Sequence, residues 1–101
     1  MTVEELKSKI DSKVELNLLD VRDPEEFQYA NIGGIHIPLD QLTQRYSELD
    51  PSKEWIVICH HGMRSAHAVG FLRNAGFEKV HNLSGGIEAW STQIDPAVPR
   101  Y

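Results

Sequence analysis

The apolar positions of this chain fall into short runs separated by spaced stripes, and the two patterns alternate along its length. Val14-Glu15-Leu16-Asn17-Leu18-Leu19-Asp20-Val21-Arg22 opens with the period-two alternation of a strand and closes on a polar–apolar–polar triplet. Ile35-His36-Ile37 is a second, very short strand, closed by Pro38. Trp55-Ile56-Val57-Ile58 is apolar without interruption, as suits a central parallel strand covered on both faces. Phe77-Glu78-Lys79-Val80-His81-Asn82-Leu83 supplies a further strand. The stretches between them read as helices. Thr2-Val3-Glu4-Glu5 has the form of a capping box, after which Val3, Leu6 and Ile10 share one face. Asp23 as N-cap, Pro24 at N1 and Glu26 at N3 start a second helix, which must end before the turn at Asn31-Ile32-Gly33-Gly34. Asp40 is expected to cap a third, with Leu42, Tyr46 and Leu49 on one side. A fourth runs from Ala66 to Ala75, burying Ala68, Phe71, Leu72 and Ala75, with Gly76 as its C′ residue. Ser84-Gly85-Gly86 then turns into Ile87-Glu88-Ala89-Trp90. The proline-punctuated tail, Asp95-Pro96-Ala97-Val98-Pro99-Arg100-Tyr101, is expected to lie over the surface as a loose terminus.

Strands alternating with helices predict an α/β fold on a parallel sheet. With 101 residues and no repeat, low-complexity segment or linker, the chain reads as one domain over residues 1–101, its core about 3–92 and its tail 93–101. A hydrophobic fraction of 41% and a charged fraction of 25% are those of a globular domain. No apolar run is long enough to span a bilayer, and the first residues lack a signal peptide's basic flank and apolar core. A net charge of −5, without a Lys/Arg stripe, argues against nucleic acid as partner. The single cysteine rules out an internal disulfide, so reducing cytoplasm is the expected compartment. A monomer is expected.

That cysteine stands where the apolar strand hands over to a helix, in Cys59-His60-His61-Gly62-Met63-Arg64-Ser65. The carboxyl ends of parallel strands are where α/β folds place their ligands. An ordinary thiol is only a few per cent ionised at neutral pH. Three features here favour the anion: convergent amides of a Gly-containing turn, the helix N-terminus and the permanent cation of Arg64. Gly62 permits the tight curl, and Ser65 is expected to cap the helix through its hydroxyl. Against this stands the plain reading of Cys59 as a small buried hydrophobe. His60 and His61 invite a metal, but neighbours in a turn usually point apart and structural zinc takes four spaced ligands. No metal or cofactor is expected; the two imidazoles are assigned to the mouth of the site. Met63 is assigned to packing or lining, and His36, His67 and His81 to structural or surface positions. Asp20 and Arg22, at the carboxyl end of the first strand, should face the same edge as Cys59 and form an ion pair that braces the loop.

These segments together resemble a rhodanese homology domain. Leu18 to Phe27 is similar to the family's first signature, Ile35 to Leu39 to the segment after it, Cys59 to Ser65 to the active-site loop of single-domain sulfurtransferases, and Gly76 to Trp90 to the closing signature. The resemblance implies a five-stranded parallel sheet with helices on both faces. It also implies that Cys59 takes a sulfane sulfur from a small anionic donor, thiosulfate or a persulfide, and passes it to a thiol or cyanide. In that scheme the amides of His60, His61, Gly62, Met63, Arg64 and Ser65 stabilise the anionic sulfur, and Arg64 favours anionic donors. Where relatives commonly carry Gly-His-Ile-Pro-Gly-Ala, this chain has Ala30-Asn31-Ile32-Gly33-Gly34-Ile35, so a repacked turn is expected. His61 stands where some thiosulfate-using relatives have a fixed cation, which would make thiosulfate a mediocre donor.

Rival readings remain. Cysteine phosphatases also place a thiolate and an arginine before a helix, but their loops carry one residue more than the four between Cys59 and Arg64; the smaller ring suits a sulfur atom better than a phosphoryl group. Arsenate reduction belongs with that alternative. A non-enzymatic sulfur carrier or regulatory binding module would keep the same site and differ in its partner, a sulfur-accepting protein.

Overall fold

The computed structural model describes residues 1–101. Helix α1 (Val3–Asp11) starts at Thr2, whose hydroxyl accepts the Glu5 amide at 3.1 Å while the Glu5 carboxylate accepts the Thr2 N–H at 3.3 Å. Only its first turns join the core: Val3 and Leu6 are buried, whereas Ile10, expected on the same face, is 43% exposed in the last turn. Strand β1 (Asn17–Asp20) is shorter than its apolar pattern. Helix α2 (Pro24–Tyr29) has Asp23 at its N-cap, with Glu26 reaching back to the Asp23 amide. In the altered turn that follows, Asn31 accepts the Gly33 amide at 3.0 Å and donates to the Phe27 carbonyl, closing the chain toward β2 (Ile35–His36).

The expected third helix is broken into a 3-10 turn (Leu39–Gln41), a single α-turn α3 (Leu42–Arg45) and another 3-10 turn (Tyr46–Glu48). Asp40 lies inside the first turn and caps nothing; Pro38 occupies the N-cap position. Leu42 and Leu49 are nonetheless buried. Strand β3 (Trp55–Ile58) is buried throughout. Helix α4 (Met63–Asn74) begins three residues before the expected Ala66, because Gly62 (φ 109°) takes the N-cap in a left-handed conformation and lets the loop close early. It buries Ser65, Ala68, Val69 and Leu72; Phe71 is only half-buried and Ala75 is exposed, a correction to the expected face. Strand β4 (Val80–Asn82) and helix α5 (Gly86–Gln93) complete the regular structure.

The sheet has the order β2-β1-β3-β4 and every neighbouring pair is parallel. It has four strands, not five. The sequence offers only four segments with strand patterning, and its N-terminal stretch is committed to α1. Alternation along β3 divides the core in two. Trp55, Val57 and Cys59 join Leu42, Ala68, Val69 and Leu72 on the α3–α4 side. Ile56 and Ile58 join Val3, Leu6, Ile87 and Trp90 on the α1–α5 side. Each fully buried aliphatic chain contributes about 1.5–3 kcal/mol. Asp20 pairs in register with Ile58, and Val57 with Asn82, so the ends of β1, β3 and β4 meet at one edge. Cys59 leaves the sheet there. No helix is long and apolar enough to cross a membrane.

Candidate active site

Cys59 directly follows the most buried strand and is itself 1% exposed. Its sulfur accepts the Gly62 amide at 3.0 Å and lies 3.2 Å from the Ser65 hydroxyl. Gly62 can present that amide because its backbone is left-handed, a conformation that side-chain-bearing residues rarely adopt. Ser65 caps nothing, contrary to expectation: it sits within α4, fully buried, and its hydroxyl donates to the Asn82 side-chain oxygen while facing the sulfur. Asn82 is therefore a hub. Its amide nitrogen also donates to the Gly62 carbonyl at 3.1 Å, anchoring the residue whose own N–H reaches the sulfur.

The loop is held from behind as well. The Ile87 and Glu88 amides, at the start of α5, donate to the carbonyls of Cys59 (2.9 Å) and His60 (3.1 Å). Those carbonyls face α5 in consequence. A methyl on Gly86 would overlap both oxygens, and its φ of +61° is left-handed.

Cys59, His60, His61, Met63 and Arg64 line a cavity of about 220 Å³. The histidine rings do not point apart as expected; they stack, with centroids 4.0 Å apart. Tyr101 covers the other face of His60, again at 4.0 Å and within 13° of parallel. Burial, and next the neighbouring His61, push the His60 imidazole below its ordinary range, so it is neutral at pH 7. Its Nε2 lacks a hydrogen-bond partner and lies 3.7 Å from Glu88. Met63 is not packed but 79% exposed at the rim. No group of three or more His, Cys, Asp or Glu side chains converges as metal ligands. A larger cleft of about 420 Å³ between α4 and β4, bordered by Arg73, His81 and Ser84, does not include Cys59.

Arg64 does not extend freely toward the cavity. Its two terminal nitrogens donate to both Glu26 oxygens, at 2.6 and 2.8 Å. The Arg64 bonds hold the Glu26 carboxyl down at about 2, and the same pair raises Arg64. Tyr101 donates its hydroxyl to Glu26 at 2.7 Å and accepts from Arg22 at 2.9 Å. Burial first, and then the bond to Glu26, push the Tyr101 phenol up to about 12 against the opposing pull of the Arg22 guanidinium.

Asp20 and Arg22 form an ion pair at 2.7 Å with both side chains fully buried. Arg22 spends its other donors on the carbonyls of Glu26 and Ala30 and on Tyr101. The pair therefore braces α2 and the tail rather than the Cys59 loop directly. The tail is not loose: Arg100 pairs with Glu88 at 2.6 Å, and Val98 accepts the Ser91 hydroxyl. Sequence reasoning missed Asn82, took Glu26 for a cap alone and gave Tyr101 no role. The parallel register was the one signal that could have placed Asn82 at the same edge as Cys59.

Comparison with known proteins agrees with this geometry. The rhodanese-like domain family matches residues 2–93. The chain is 41% identical over 96 residues to a putative sulfur carrier protein, YrkF, of Bacillus subtilis (strain 168), covering 94% of this chain and 52% of that protein. It is 38% identical to a putative sulfurtransferase, YtwF, of the same organism, covering 90% of this chain and 88% of that one. The crystal structure of a rhodanese-related protein from Thermoplasma volcanium superposes with a TM-score of 0.86 at 34% identity, covering 98% of this chain and 95% of that one. The chain thus spans about half of the sulfur carrier relative and most of the other two.

Proposed function

The chain belongs to the rhodanese-like family, and on that premise we propose that it is a sulfurtransferase whose Cys59 carries sulfane sulfur as a persulfide. The observation that carries this reading is the sulfur itself: Cys59 Sγ at the end of the central strand, accepting the Gly62 amide at 3.0 Å at the base of a cavity of about 220 Å³. A thiolate so held attacks the outer sulfur of a donor. With thiosulfate, the Sγ–S bond forms as the S–S bond breaks, and the bonding pair leaves with sulfite. The persulfide anion stays over the same amide. An acceptor, thiolate or cyanide, then attacks the outer sulfur and returns the Cys59 thiolate, a covalent two-step cycle. Such a thiolate works best in a reducing compartment, which fits the cytoplasm.

A sulfur-carrier role is the second reading, favoured by the likeness to a putative sulfur carrier and by Met63, 79% exposed beside the cavity where a docking protein would cover it. The two differ in acceptor and share the loaded state. Incubation with thiosulfate, methanethiosulfonate or a small persulfide should add about 32 Da, one sulfur atom, to the intact protein. Cys59→Ser should abolish the gain. A wild-type mass unchanged by every donor defeats both readings, and release of phosphate from an aryl phosphate ester would install the phosphatase in their place.

A further inference from the structure

Each arginine near the mouth is already paired with a carboxylate. Arg22 is bound to Asp20, Arg100 to Glu88 and Arg64 to Glu26. His60 adds no charge at neutral pH. Arg64, the permanent cation among the residues that line the cavity, is therefore already neutralised, in a molecule whose net charge is −5. A dianion approaching a thiolate needs the opposite arrangement.

We propose that Glu26 is a specificity-determining residue that withholds Arg64 from the donor and turns the site away from doubly charged sulfur donors toward singly charged ones. This rests on the sulfurtransferase reading and names its substrate class: monoanionic sulfane donors such as organic thiosulfonates and persulfides. Glu26 touches neither the sulfur nor the donor; it is a positioning residue acting through Arg64. The hold is two charge-assisted bonds in fork geometry, at 2.6 and 2.8 Å, among the stronger polar contacts available to a side chain. Tyr101 steadies the carboxylate from the far side, and buried Arg22 in turn steadies the Tyr101 hydroxyl. For Arg64 to reach a sulfonate it must leave both oxygens, stranding the Glu26 charge beside an incoming dianion. A singly charged donor makes no such demand.

Thiosulfate and the methanethiosulfonate anion are nearly isosteric and differ by one charge, a methyl replacing one oxygen. Both leave the same persulfide: Sγ bonds to the outer sulfur, and the electron pair departs on sulfite or on methanesulfinate. Glu26→Gln keeps a side-chain oxygen for the Asp23 amide, so the α2 cap is preserved while the charge is lost. At low ionic strength the variant should raise the ratio of kcat/KM for thiosulfate over methanethiosulfonate by about tenfold, the scale of one nearby unit charge. High salt should shrink that gain. An unchanged or lowered ratio overturns the proposal. Alkylation of Cys59, the only thiol, gives a second readout that assumes no sulfur transfer. Glu26→Gln should raise the rate with anionic iodoacetate relative to neutral iodoacetamide, and equal rate changes for the two reagents again overturn the proposal. If wild type accepts sulfur from neither of these donors nor from a small persulfide, the sulfurtransferase reading fails, and the alkylation ratio still decides whether Glu26 screens Arg64.

Discussion

At the scale of single residues, the decisive side chain is one that the sulfur chemistry never touches. Asn82 donates to the Gly62 carbonyl and accepts from Ser65, so a single carboxamide anchors both the glycine and the hydroxyl beside Cys59. Asn82→Ala removes the oxygen acceptor of the buried Ser65 hydroxyl and one of the two donors to the Gly62 carbonyl, whose bond from the Ala66 amide remains, a loss of about 1–3 kcal/mol in denaturant unfolding. Persulfide formation, followed by the gain in mass, should slow by about tenfold, because Gly62, whose N–H reaches the sulfur, loses a side-chain anchor. A variant that loses stability yet loads sulfur at the wild-type rate would show that the hub serves folding alone. Cys59, Gly62 and Arg64 were legible as neighbours in sequence. Their partners were not, since Asn82 lies 17 residues from Ser65, and Glu26 lies 38 from Arg64 and 75 from Tyr101. Local patterning has no means of joining such pairs; only the parallel register and the path of the tail do so.

At the scale of elements, local signals succeeded where a helix carries its own start. The caps of α1 and α2 are written in four consecutive residues each and form as expected. The stretch after Pro38 has the right apolar spacing, but it breaks into three short turns that follow the rim of the sheet. The fifth strand came from likeness rather than from any segment of this chain, and no segment forms it. Helix α5 has a part that its composition does not announce. Its first amides hold the Cys59 and His60 carbonyls, and Gly86 admits that approach. Gly86→Ala should cost about 1–3 kcal/mol from backbone strain alone. It should also abolish sulfur loading, while Gly70→Ala, in open space in the interior of α4, should raise stability by about 0.5–1 kcal/mol and leave loading at the wild-type rate.

At the scale of the whole molecule, the tail closes a circuit from Arg22 through Tyr101 and Glu26 to Arg64. Its pH range follows from the two shifted groups. Glu26, drawn down to about 2, adds stability above the ordinary carboxylate range, and that contribution is lost as pH falls toward 2. Tyr101, pushed up to about 12, adds stability below the ordinary tyrosine range, and that contribution is lost as pH rises toward 12. The docked tail is therefore stable between those limits and frees itself at either extreme. Ultraviolet titration of the three tyrosines should show one ionising near 12, absent in Tyr101→Phe. Three tyrosines ionising together in the ordinary range would place the tail in solution.

The chain holds one cysteine and no second thiol to answer it. Oxidation of Cys59 to a sulfenic acid cannot be resolved by an internal disulfide, so repair falls to a thiol from outside, which must pass between Met63 and the histidine stack. Cargo changes that exposure. On the proposed Cys59 persulfide the outer sulfur would meet the oxidant first; two outside thiols, leaving as their disulfide, would then cleave the S–S bond, release the oxidised sulfur as sulfite and return the Cys59 thiol. Sulfur carried in that way would double as a replaceable shield, and protein incubated with a sulfur donor should outlast protein kept empty under peroxide.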